Sequence, residues 1–122
     1  MGGVVDKSQS DVAELNIFAC LDYIRDKAPA YAKAKAERIY LEEFRKTKKA
    51  MCMRSAESAG VNAISAQERD AYANPEYAAL LEGLRDAVEA EEKLRWLIVG
   101  AQAKIEVWRS LESTRRIEAK TL

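Results

Sequence analysis

Histidine is absent from all 122 residues. That removes the commonest general base and metal ligand, and with it the Ser-His-Asp and H-E-x-x-H arrangements. Glycine is scarce as well, and none of the five glycines falls in the spacing of a phosphate-cradling loop. The two cysteines, Cys20 and Cys52, lie among apolar neighbours, and no apolar run approaches the length of a membrane span. This pattern reads as reduced, buried thiols in a cytosolic protein, not as a disulfide framework. Net charge is zero, which argues against a binder of polyanions driven by bulk charge. Acid pairs do occur, with Glu42-Glu43 placed to face Glu89, Glu91 and Glu92 if the chain folds back. Di-metal sites of that kind draw on Glu-x-x-His motifs, however, and no histidine is available. The expectation is therefore a protein that is not an enzyme, with no cofactor and no metal.

What remains is 48% hydrophobic residues, rich in alanine, and 33% charged ones, the composition of a helical bundle or hairpin. The organising stretch runs from Pro75 to about Ile117. Tyr77, Leu80, Leu84, Ala87, Glu91, Leu94, Ile98, Ala101, Ile105 and Trp108 recur there at steps of three and four, which is one stripe along a helix. Only Glu91 is out of character. Asn74 suits the N-cap and Pro75 the first helical position, where a missing N–H costs nothing. Such a helix is about 60 Å long and needs partners along its length. Gly100, unfavourable in mid-helix by about 1 kcal/mol, calls for a kink or a close backbone contact.

The elements expected before it are a flexible arm over 1–10, then a single helical domain over 11–122. A first helix, capped by Ser10 or Asp11 and ended near Lys27 by Pro29, presents Leu15, Phe18, Leu21 and Ile24. A second helix spans about 30–58, with Ala30, Ala34, Tyr40, Leu41, Phe44, Met51 and Cys52 on its apolar face. Glu37 and Lys48 share that face and need partners. Gly60 is the natural left-handed residue after it. Ser65-Ala66-Gln67-Glu68 matches a capping box opening a short helix that Asn74-Pro75 ends. The fold expected is all-α: a long antiparallel helical hairpin, with the N-terminal helix packed on its open end over Trp96-Leu97-Ile98-Val99. If residues 58 and 75 are opposite, Glu91 comes within reach of Arg38, Arg45 or Lys48.

Charge is segregated along the chain: +6 over residues 25–54, −7 over 57–92 and +4 over 93–122. Lys35, Arg38, Arg45, Lys46 and Lys49 share one face of the second helix and form a candidate DNA-binding row. Tyr31 falls in the same sector and offers a stacking surface. The alternative is a solvated face with local Glu42 pairs. Trp108 belongs to the seam. Trp96 lies off it and, with Tyr31, is a candidate partner-binding residue. Uncovered Ala-rich stripes, such as Ala32, Ala36, Ile39 and Ala50, and a helix from Pro75 longer than its neighbour favour a homodimer or higher oligomer.

Two stretches carry a resemblance: Tyr31 to Lys46 (YAKAKAERIYLEEFRK), and Leu94-Arg95-Trp96 together with Ile105-Glu106-Val107-Trp108-Arg109-Ser110. They are similar to small, largely uncharacterised helical proteins of tailed bacteriophages and prophages, encoded among early genes for replication and recombination. The resemblance covers most of the chain after residue 25 and rests on helix-surface patterns, so no site residues carry over. It implies a phage protein acting in the host bacterial cytoplasm. The expected role is a non-enzymatic adaptor, an accessory factor in phage DNA recombination or replication, working through protein contacts and single- or double-stranded DNA. The alternatives are an inhibitor of a host defence or regulatory protein and a structural virion component.

Overall fold

The computed structural model describes residues 16–121, which form three helices and, among those residues, no strand. Helix α1 spans Ile17–Ser58, α2 Ile64–Ala73 and α3 Pro75–Thr121. The architecture is all-α and hairpin-like, with α1 packed against α3. Residues 1–15, including the expected arm, Leu15 and the caps Ser10 and Asp11, lie outside the described residues.

Contacts gather in two compact units, each made from parts of both long helices. One holds residues 30–94: most of α1, all of α2 and the start of α3. Its turn begins where α1 ends. The Val61 N–H donates to the Ala56 carbonyl and the Gly60 N–H to that of Glu57, both at 3.0 Å, a Schellman closure. Gly60 has φ +100°, and that conformation is why glycine stands there.

Helix α2 does not open with the expected capping box. Ala63 occupies the N-cap without a side-chain bond. Buried Gln67 instead reaches back, its Nε2 donating to the Val61 carbonyl at 2.8 Å. A glutamine so placed satisfies turn backbone that Ser65, one residue inside the helix, cannot. Asn74 then serves two helices. Pro75 holds it extended (φ −68°, ψ 131°), which ends α2, and its Oδ1 accepts the Glu76 N–H at 2.8 Å to start α3.

The core of this unit is Cys52, Ala71 and Tyr77, with Met53 packed against it. Fourteen residues from Cys52 on α1 lies Arg38, and fourteen from Tyr77 on α3 lies Glu91, which Arg38 binds. The two pairs run in opposite order along the helices, so α1 and α3 are antiparallel here, two heptads apart in register. The pairing is about one helical turn from that expected if residues 58 and 75 were opposite, because α2 and its turns fill that end. All ten residues of the α3 seam, Tyr77 to Trp108, are buried or half-buried.

The other unit holds residues 16–29 of α1 and 95–121 of α3. Two expectations change here. Pro29 does not end a helix; α1 runs through it from Ile17, capped by Asn16, whose Oδ1 accepts the Ala19 N–H at 3.0 Å. A proline leaves the carbonyl four residues back unpaired. Arg25 and Pro29 are both exposed, so water can satisfy that group. Among the described residues, therefore, no separate N-terminal helix folds back onto an open end. The residues assigned to it are the first turns of α1, with Phe18 74% exposed, Leu21 exposed and Ile24 half-buried. A single helix segment lies where two layers of cover were expected, and Trp96 and Leu97 stay exposed. Nor is α3 much the longer helix: α1 has 42 residues and α3 has 47.

Candidate interaction surfaces

In the 30–94 unit, the expected apolar face of α1 is rotated. Ala34, Leu41, Phe44 and Cys52 are covered, whereas Ala30, Tyr40 and Met51 are exposed. The covered stripe passes instead through Tyr31, Arg38 and Lys48, all half-buried. Glu37 is exposed, and Lys48 faces Glu76 on α3 at 3.5 Å.

Arg38 is the hub of this stripe. Its Nε and Nη2 donate to the two carboxylate oxygens of Glu91, the latter at 3.2 Å, and Nη1 donates to Glu42 Oε2 at 2.9 Å. The Glu91 side chain is 7% exposed and that of Arg38 is 24% exposed. A planar guanidinium suits this fork-on-fork pairing. The bonds to Glu91 first, then Glu42, hold the guanidinium further above its usual range. The same cation stands between the acids that would face each other, Glu42 and Glu91. Among the described residues, no group of three histidine, cysteine or acidic side chains is placed to hold a metal ion.

Lys49 is similarly engaged. Its ammonium donates to Glu68 of α2 at 2.7 Å and lies over the Tyr72 ring, 4.7 Å from the centroid. Lys49 is raised above its ordinary range, chiefly by the bond to Glu68, and the Glu68 carboxyl is lowered by the same bond. The candidate row is thus divided. Arg38 and Lys49 are turned to carboxylates on α3 and α2, Lys46 pairs with Glu43 within α1 at 3.5 Å, and Lys35 and Arg45 are exposed.

The Lys49–Glu68 pair gives a pH dependence of fixed sign. A carboxyl held low in the folded state stabilises it above the ordinary value of 4.5, and that contribution is lost on acidification. The raised lysine contributes below its own ordinary value of 10.5, so the pair is at full strength near neutrality. Both side chains are partly solvated, which keeps the effect modest. Glu68→Gln is expected to lower the urea midpoint at neutral pH, and the difference from the unmodified chain is expected to shrink as pH falls below 4.5. A difference that does not change with pH would mean the pair contributes nothing.

The 16–29/95–121 unit carries a different surface. Between its helix segments lies a groove of about 450 Å³. Ala19, Gly100 and Ala101 line it with small groups, and Tyr23, Trp96 and Leu97 with large ones. Trp96 is 60% exposed, while Trp108 of the seam is half-buried. The Arg95 guanidinium stacks 4.5 Å from the Trp96 centroid, the Lys27 ammonium lies 5.7 Å from that of Tyr23, and Lys104 joins the lining. Of the two candidate partner-binding residues, Trp96 opens onto this groove and Tyr31 belongs to the covered stripe of the other unit. Further along α3, Arg109 and Arg115 make exposed pairs with Glu106 and Glu112 one turn back.

Sequence reasoning marked Trp96 and Gly100 separately. That Tyr23 and Cys20 lie beside them follows from α1 running through Pro29, for which the sequence holds no signal. No helix among the described residues is long and apolar enough to cross a membrane. Compared with known protein families, with curated proteins and with solved structures, the chain matches none.

Proposed function

We propose that this chain is a non-enzymatic helical adaptor, a bacteriophage accessory factor that joins proteins of DNA recombination or replication in the host bacterial cytoplasm. The observation that carries the adaptor reading is the exposed aromatic and apolar groove around Trp96, which no other described residue covers. The phage setting rests on the resemblance of Tyr31–Lys46, and of Leu94–Trp96 together with Ile105–Ser110. DNA contact is the lesser part of the proposal. With Arg38 and Lys49 held by carboxylates, Lys35, Arg45 and Lys46 are the cations left to meet phosphate, and three contacts on a single strand give a log–log salt slope of about −2.

The test is affinity capture with the full chain from phage-infected cells, with Trp96→Ala alongside. Recombination or replication proteins captured by the intact chain and lost with Trp96→Ala would support the reading. A host defence factor would make the chain an inhibitor, capsid or tail proteins would make it a virion component, and either would overturn it.

A further inference from the structure

We infer that the groove of the 16–29/95–121 unit receives a partner protein's amphipathic helix, whose apolar stripe is flanked by carboxylates. The inference deepens the adaptor reading and rests on it for the existence of a protein partner. Three observations carry it.

The first is shape. Ala19, Gly100 and Ala101 bring small groups to the lining of the groove, and Tyr23, Trp96 and Leu97 bring large ones. Small residues that leave room next to large ones are what an incoming helix needs to set apolar side chains at i, i+3, i+4 and i+7. A cavity of about 450 Å³ holds two or three such side chains, and the rings supply stiff contact area.

The second is Gly100. It sits within a 47-residue helix, where glycine is disfavoured by about 1 kcal/mol against alanine. A Cβ built there meets nothing within 4 Å among the described residues, so their packing does not require its absence. Gly100 is exposed and lines the groove, and among the described residues nothing fills the space it leaves.

The third is charge, which selects the occupant. Among the described residues no acidic side chain lines the groove, whereas Lys104 does, and Lys27 sits on the ring of Tyr23. Residues 95–121 hold six Lys/Arg against three Glu, and residues 16–29 are balanced, with two of each sign. A second copy docking groove to groove across a two-fold axis would bring Lys104 and Lys27 near their own equivalents, a like-charge contact. A helix with glutamates beside its apolar stripe meets the opposite sign. It is steered in by the field and loses affinity as salt rises.

The probe is a helical peptide of about 18 residues with leucines at i, i+3, i+4 and i+7 and glutamates beside them. Two controls accompany it: the same leucines flanked by lysines, and the glutamate peptide with its leucines respaced. Binding to the full chain is read from Trp96 fluorescence in a Trp108→Phe background and by calorimetry. The glutamate peptide is expected to bind at least about tenfold more tightly than the lysine peptide, and the respaced one not at all. Gly100→Leu, at a position where an added Cβ meets no described residue, should abolish binding, and Lys104→Glu should narrow or invert the charge preference. The inference is overturned if no peptide binds, if acidic and basic peptides bind alike, or if Gly100→Leu changes nothing while circular dichroism shows an intact fold. It is also overturned if sedimentation shows a dimer that Gly100→Leu dissolves, since the occupant would then be a second copy. Cell partners that are captured equally by intact and Gly100→Leu chains would leave the adaptor reading standing and remove the groove from it. Peptide binding without any captured partner would do the reverse.

Discussion

Arg38→Leu is expected to lower the urea midpoint further than any other single charge substitution in the chain, and Glu91→Leu added to it is expected to restore much of the loss. Glu91 is buried on the α3 seam, and its hydrogen bonds go to Arg38. Without Arg38, a carboxylate stays desolvated with no counter-charge, the costly half of any broken buried pair. The two single substitutions should not be equal. Arg38 keeps Glu42 when Glu91 is removed, because that pair lies one turn apart on α1 and is more exposed. Replacing both ends with leucine leaves an apolar seam and no orphaned charge, and such exchanges are commonly neutral or stabilising. Denaturation of the four proteins settles it. If Arg38→Leu and Glu91→Leu match and the double variant is no better than either, the pair is solvated and the seam is not dry at that point.

The same pair shows what the sequence could and could not say. Glu91 was visible as the one charged residue in a ten-position apolar stripe, and Arg38 was among three cations able to reach it. Local signals of this kind carried far. Asn74-Pro75 fixed the start of α3, Gly60 the end of α1, and the steps of three and four the covered face of α3, because each depends on residues within one or two turns. The covered face of α1 was harder to read. Its centre passes through Tyr31, Arg38 and Lys48, so hydrophobicity alone draws the stripe toward Tyr40 and Met51, which face solvent. Charges committed to distant carboxylates, Lys49 on Glu68 above all, look from the sequence like an open basic row. Pro29 misled for a different reason. Proline is a breaker on average, but a helix tolerates it where the freed carbonyl faces water. That one residue decided whether Trp96 would be covered or open, and so whether the groove exists.

Tyr77→Ala is expected to cost about 3 kcal/mol, at the lower end for an aromatic lost from a core, because the site lies near a helix start and can partly collapse. Tyr77 is 8% exposed and packs with Cys52 and Ala71 at the point where all three helices meet. Its ring also meets that of Tyr72 edge-on, at 5.5 Å and 75°, a geometry worth about 0.5–1.5 kcal/mol beyond area. For a chain of this length the loss corresponds to about 10 °C in melting temperature. Tyr77→Phe keeps the ring and is expected to cost less than about 1 kcal/mol, which separates packing from the hydroxyl. The effect should also have a place. Ala71 lies against Tyr77 and is wholly buried, so hydrogen exchange in α2 should quicken before exchange in α1 does. A variant that melts with the unmodified chain, or that loosens 95–121 before α2, would mean that the three helices are not held together at Tyr77.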